Sequence, residues 1–182
     1  MSGTDRTPPG FAEFVSSRYP ALTRYGTLLT GDRGHGEDLA QEALVKTFRA
    51  WRRLHEQGDP EAYTRRVMVR AAWRAGKRLW RREVPAAAPP ERAAGGDAYA
   101  DRDTAEVVLE ALRGLPAAQR VVLVLRYWAG LSEQEIAAQL GCSTGTVKSR
   151  ASRAIAALRQ AGGPLAEAFT ENGPHQPVRP VP

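Results

Sequence analysis

Three cations, Lys148, Arg150 and Arg153, stand close together in the chain, with Thr144, Thr146, Ser149 and Ser152 around them. Ammonium and guanidinium groups hold phosphate oxygens, and hydroxyls and lysine reach base edges in a groove. A second basic set, Arg66, Arg70, Arg74 and Arg78, recurs every four residues, with Lys77 beside it. Tyr63, Val67, Trp73 and Trp80 are interleaved with these cations. Basic charge can track a phosphate backbone, and aromatic faces can stack on unpaired bases. The plainer alternative puts the tryptophans in a core and leaves the arginines solvated. Repulsion between like charges four residues apart on one helix favours a compensating anionic partner. A third set, Asp38, Gln41 and Glu42, is acidic and polar.

No residue set suggests catalysis. His35, His55 and His175 are scattered, and Cys142 is the single cysteine. None has a partner at nucleophile or metal-ligand spacing, so no catalytic residue, metal or cofactor is expected. The glycines at 31, 34 and 36 are not followed by the Gly-Lys-Ser/Thr of a phosphate loop. Lys plus Arg number 26 against 20 Asp plus Glu, a net charge of +6 that suits a phosphate-bearing partner. One cysteine allows no intramolecular disulfide. Met1 to Gly10 lacks the apolar stretch of a secretory signal, and no apolar run approaches the roughly 20 residues of a membrane span. The expectation is a cytoplasmic, non-enzymatic binding protein.

These side chains need rigid elements to hold them. Phe11, Phe14, Val15 and Tyr19 recur at helical spacing; Pro20 interrupts, and Leu22, Tyr25, Leu28 and Leu29 resume the pattern. Gly31 to Gly36 reads as a loop. Leu39, Ala43, Leu44, Phe48, Trp51 and Leu54 make one face of a long helix from Glu37. Its dipole favours carboxylates at Asp38 and Glu42 near its start. Gly58-Asp59-Pro60 breaks it, and Asp59 caps a further helix that carries the arginine stripe to about Arg82.

Residues 83–103 change character, with Pro85, Pro89, Pro90, Gly95 and Gly96, and read as a flexible linker. Asp103 and Glu106 form a capping box for a helix bearing Val108, Leu112 and Leu115. Pro116 opens a buried helix through Tyr127 or Trp128, closed by Gly130. The predicted fold is all-α, with two small helical domains at 11–82 and 104–161. A disordered N-terminus covers 1–10, and a disordered, Pro-rich tail covers 162–182.

The stretch from Leu131 to Arg153 reads as helix, tight turn, helix. Ser132 and Glu135 make a capping box. Ile136 and Leu140 face inward, and Ala137 keeps the crossing close. Gly141 takes the positive φ of the turn. Ser143 or Thr144 caps the second helix, whose buried stripe is Val147, Ala151, Ala154, Ile155 and Leu158. Thr146, Lys148, Ser149, Arg150, Ser152 and Arg153 are left on the outer face. A helix pair of this form inserts its second helix in a DNA major groove.

Two nucleic-acid-facing units joined by a linker resemble a known family. Asp38-Leu39-Ala40-Gln41-Glu42, with a following helix ending in Phe48-Arg49-Ala50-Trp51, resembles region 2.2 of bacterial sigma factors. The basic helix sits where regions 2.3 and 2.4 would be. Leu131–Arg153, notably Gly145-Thr146-Val147-Lys148-Ser149-Arg150, resembles region 4.2. The absence of a folded domain between the two is similar to the extracytoplasmic-function (ECF, group 4) type of the sigma-70 superfamily. The tail and the run Pro60–Arg66 are most similar to the actinobacterial sigma-E-like subgroup.

That resemblance implies a subunit that gives RNA polymerase its promoter specificity. It implies that Asp38, Gln41 and Glu42 dock on the clamp helices of the large polymerase subunit. Arg66, Arg70, Arg74, Lys77 and Arg78 would open and hold the −10 element as single strand. Thr144, Thr146, Lys148, Ser149, Arg150, Ser152 and Arg153 would read the −35 element as duplex. The linker would thread toward the RNA exit path, and there is room for an anti-sigma partner. Arg70 departs from the Asn that many relatives carry near this position. The rival reading is a stand-alone helix-turn-helix regulator, which leaves Asp38–Trp51 and the arginine stripe without work.

Overall fold

The computed structural model describes residues 7–82 and 104–162, all of whose regular structure is helical. The expected linker and the tail beyond residue 162 lie outside the described residues, as do Asp103 and its capping role. Helix α1 spans Phe11–Thr30 and runs unbroken through Pro20, where the sequence pattern predicts an interruption. Proline removes one N–H donor from the helix. Burial of Leu22, Tyr25, Leu28 and Leu29 just beyond it offsets that loss. Burial also pushes the Tyr25 hydroxyl up to about 12, against the opposing pull of Arg65.

Helix α2 spans Arg33–Gln57 and starts four residues before the predicted Glu37. The stretch that reads as a glycine loop is mostly its first turn. Asp32 is extended, and its Oδ1 accepts from the His35 N–H at 2.9 Å. Gly36 is where α1 and α2 meet backbone to backbone. A Cβ on Gly26 would collide with the Gly36 carbonyl, and a Cβ on Gly36 with the Thr27 amide.

Helix α3 spans Pro60–Arg82, and Asp59 Oδ1 accepts from the Ala62 N–H at 2.9 Å, the predicted cap. The α2–α3 hairpin buries a polar pair: Thr47 Oγ1 and Thr64 Oγ1 lie 2.7 Å apart, both fully buried. Each hydroxyl also lies within bonding distance of a carbonyl of its own helix, Ala43 O and Pro60 O. Two hydroxyl protons are thus shared among three contacts, which satisfies both side chains without water.

The remaining helices are α4 (Thr104–Arg113), α5 (Ala117–Leu123), α6 (Glu133–Leu140) and α7 (Thr144–Ala161). The predicted single helix from Pro116 is α5 continued by one π-helical turn, Val124–Trp128, ending before Gly130 at φ 67°.

The two sets of helices do not stand apart. One continuous apolar core includes Leu29, Val69 and Trp73 from the first set and Val121, Leu125 and Val147 from the second. At their junction Arg120 is buried, and burial lowers its pKa. Its Nε donates to Leu29 O at 3.1 Å, and its Nη1 to Leu112 O at 3.2 Å and Leu115 O at 3.4 Å. These are carbonyls near the C-terminal ends of α1 and α4, where helix dipoles favour a cation. Arg113 Nε donates to Gly31 O at 3.0 Å, and Arg33 pairs with Glu106 at 2.7 Å.

Candidate nucleic-acid interface

The helix pair α6–α7 is built from its caps. Ser132 Oγ accepts from the Glu135 N–H at 3.3 Å, and Glu135 Oε2 accepts from the Ser132 N–H at 2.8 Å. The Ser132 hydroxyl, donating to Glu135 Oε2 at 2.7 Å, and then the Ser132 N–H hold the Glu135 carboxyl below its usual range. Gly141 turns the chain at φ 63°, and its missing Cβ faces open space. Ser143, of the two predicted candidates, caps α7: its Oγ accepts from the Thr146 N–H at 3.2 Å. Ile136, Ala137, Leu140, Val147, Ala151, Ala154 and Leu158 bury the inner faces, and Ile155 is half-buried.

The outer face of α7 holds most of the predicted contacts. Thr144, Lys148, Ser152 and Arg153 are exposed, and Thr146 and Ser149 are half-buried. Gly145 has only the Ser143 hydroxyl within 4 Å of a would-be Cβ, so the start of α7 is open to close approach. Arg150 is the exception. Its guanidinium lies 4.7 Å over the indole of Trp73 on α3 rather than facing solvent. Burial lowers its pKa, Cys142 raises it, and Arg153 lowers it.

On α3, Arg66, Arg70, Arg74 and Lys77 are exposed along one side. The side chains of Arg78 and Trp80 lie outside the described residues. Arg65 turns away from this stripe, pairing with Glu61 at 2.6 Å and lying over the Tyr25 ring. Trp73 is a core residue at 4% exposure, so it is not free to stack on a base in this arrangement.

On α2, Asp38, Gln41 and Glu42 are all exposed. Gln41 Nε2 donates to Tyr19 Oη at 3.2 Å, and Tyr19 donates in turn to Glu37 at 2.8 Å. One helical turn on, Val45 (52%) and Phe48 (38%) are also exposed. Phe48 packs edge-on against Phe11, so the face is polar first and apolar after. Sequence reading put Phe48 in the core; its partial exposure follows from its place at the edge of the apolar stripe.

Sequence reasoning missed one charged network. Glu133 Oε1 accepts from Arg126 Nη1 at 3.0 Å, and its Oε2 lies 3.7 Å from Lys148 Nζ. Only the chain fold brings 126, 133 and 148 together, so no local spacing announced it. Among the described residues no group of three or more His, Cys, Asp or Glu is placed to hold a metal ion.

Comparison with known proteins gives two family matches. The model described as Sigma-70 region 2 matches residues 14–82, and that described as Sigma-70, region 4 matches residues 105–158. The RNA polymerase sigma-E factor of Streptomyces coelicolor is 38% identical over 154 residues, covering 82% of this chain and 84% of its own length. The ECF RNA polymerase sigma factor SigL of Mycobacterium tuberculosis is 32% identical over 146 residues, covering 76% and 80%. A solved structure, the sigma factor RpoE in complex with the anti-sigma factor NepR from Bartonella quintana, superimposes with a TM-score of 0.55 at 26% identity. It covers 84% of this chain and 96% of that one.

Proposed function

Because the chain belongs to the sigma-70 family of RNA polymerase sigma factors, and to its extracytoplasmic-function type, we propose a division of labour among three exposed faces. The chain acts in transcription initiation, with core RNA polymerase and promoter DNA as partners. Asp38, Gln41 and Glu42 on α2 dock on the polymerase clamp helices. An acidic face on a basic protein suits a protein partner over DNA, since like charge repels phosphate. Arg66, Arg70, Arg74, Lys77 and Arg78 on α3 hold the opened −10 strand. Thr144, Thr146, Lys148, Ser149, Arg150, Ser152 and Arg153 on α7 read the −35 duplex, the cations on phosphates and the hydroxyls at base edges.

The observation that supports this reading most is the segregation of charge: acid on the first half of α2 at Glu37, Asp38 and Glu42, base on α3 and on the outer face of α7. A stand-alone regulator is not favoured, since both a region 2 and a region 4 model match in order. The chain is read as an initiation factor rather than a catalyst. No helix among the described residues is long and apolar enough to cross a membrane. We place its work in the cytoplasm with the polymerase. The solved relative is held by an anti-sigma factor, and a partner of that kind is proposed for this chain too.

The test is reconstitution with core polymerase on a genomic promoter library. Specific transcripts with shared −10 and −35 sequences are expected. A folded protein that yields none would overturn the reading. Changing Gln41 and Glu42 together to Arg is expected to abolish core binding without loss of helicity.

A further inference from the structure

Of the three side chains on the acidic face of α2, Gln41 alone is held by another helix. Glu37 and Gln41 are four residues apart, so their side chains are neighbours on the helix surface. Tyr19 of α1 reaches both. Its hydroxyl donates to Glu37 Oε1 at 2.8 Å and accepts from Gln41 Nε2 at 3.2 Å. The Tyr19 ring is half-buried and packs against the apolar core, so the hydroxyl is delivered from a fixed base. Gly26, about two turns along α1 from Tyr19, meets Gly36 backbone to backbone and brings the two helices close enough for that reach.

The direction of the two bonds is forced. An ionised carboxylate only accepts, so the single Tyr19 proton goes to Glu37. What the phenol oxygen offers Gln41 is a lone pair, and the amide must turn its NH2 inward to use it. Gln41 is exposed, and its carbonyl oxygen is left on the solvent side. The Tyr19 bond to a carboxylate is charge-assisted, and it polarises the phenol oxygen toward accepting from Gln41.

We infer that Tyr19 and Glu37 are positioning residues for the docking face: they hold the Gln41 amide carbonyl-outward, so the group that Gln41 meets on the polymerase is a hydrogen-bond donor. The inference rests on the docking role proposed above for Asp38, Gln41 and Glu42. The two neighbours agree with it, since the carboxylates of Asp38 and Glu42 also present acceptors. A flipped amide would set a donor between them and break a uniform surface. Fixing one rotamer-rich side chain before contact also lowers the ordering cost of binding.

Competition for core polymerase tests this. Each full-length variant displaces a labelled parent chain, and the thermal transition of the free variant is read beside it. Tyr19→Phe keeps the packed ring and removes only the hydroxyl. It is expected to weaken core binding by about threefold to tenfold, the worth of one hydrogen bond, with the thermal transition at the parent's value. Gln41→Ala is expected to weaken binding at least as much, and Tyr19→Phe to add nothing in that background. Glu37→Gln is expected to weaken the parent and to add nothing to Tyr19→Phe. Parent-like binding by Tyr19→Phe, while Gln41→Ala binds poorly, would overturn the inference. So would the same Tyr19→Phe loss in the Gln41→Ala background, because the phenol would then act by another route. An equal Glu37→Gln loss with and without the Tyr19 hydroxyl would make Glu37 a direct contact instead. If changing Gln41 and Glu42 together to Arg left core binding intact, the docking reading itself would fall, and this inference with it.

Discussion

The Lys148 ammonium stands 3.7 Å from a carboxylate oxygen of Glu133, whose other oxygen takes a hydrogen bond from Arg126. Lys148 is well exposed and Arg126 is not, so Glu133 is anchored on one side and offers its charge on the other. A phosphate must compete with that carboxylate for Lys148. Glu133→Gln is therefore expected to tighten duplex binding and to steepen its salt dependence, by about 0.9 in log–log slope for one phosphate gained. Fluorescence anisotropy of the full chain on duplex DNA across a salt series measures both. In a Lys148→Met background the Glu133 substitution is expected to change neither; a surviving difference would separate the two residues.

Arg120 supplies hydrogen bonds to carbonyls of Leu29, Leu112 and Leu115. Arg120→Met keeps much of the volume but strands those acceptors. Buried acceptors without donors cost about 1–3 kcal/mol each, less whatever water can reach, so a loss of about 3 kcal/mol is expected. Urea unfolding followed by circular dichroism reports it. A loss below about 1 kcal/mol would mean that water replaces the guanidinium.

Gly26→Ala is expected to be severe for its size. The added methyl would strike the Gly36 carbonyl, backbone that cannot swing away as a side chain can. Overpacking of this kind costs about 1–3 kcal/mol or more, and the α1–α2 angle must open to relieve it. Gly145→Ala makes the control, because its site has no neighbour closer than 3.8 Å. Its thermal transition is expected to hold or rise, since alanine favours helix by about 1 kcal/mol over glycine.

Three ionisable groups each give the fold a pH dependence. The His35 amide holds the Asp32 carboxyl below its usual range, and the Ser132 hydroxyl and amide do the same for Glu135. A carboxylate with a depressed folded pKa stabilises above its unfolded value, about 4, and that contribution is lost as pH falls through the folded value. Tyr25, raised to about 12, works in the opposite sense. Its contribution is complete below about 10, the unfolded value, and is lost as pH rises toward the folded one. Melting temperature against pH should be level in between. Asp32→Asn with Glu135→Gln is expected to lower the plateau and flatten the acid limb. Tyr25→Phe is expected to flatten the alkaline limb, and an unchanged limb would clear the substituted group of its role.

The elements that sequence reading recovered are those whose signal is local. The Ser132–Glu135 box, Gly141, Ser143 and Asp59 cap within three or four residues of themselves, so spacing alone exposes them. Asp32 caps in the same way, yet the three glycines beside it read as loop. Gly36 is there for a helix crossing 10 residues upstream, at Gly26, which no local window shows. The exposure of Thr144, Lys148, Ser152 and Arg153 on α7 was legible, but the place of Arg150 over Trp73 depends on how distant segments pack. Arg120 is the same case: one of many arginines in sequence, and a buried junction in the fold.

Thr47 and Thr64 share two protons among three contacts, in the buried centre of the α2–α3 hairpin. Valine at either position alone leaves the partner's hydroxyl its own-helix carbonyl but sets a methyl where a 2.7 Å oxygen contact stood, while valine at both makes the contact wholly apolar. The two sites are thereby coupled in inheritance. Among relatives that keep this hairpin, a change at one should be accompanied by a change at the other, and single departures should be rare.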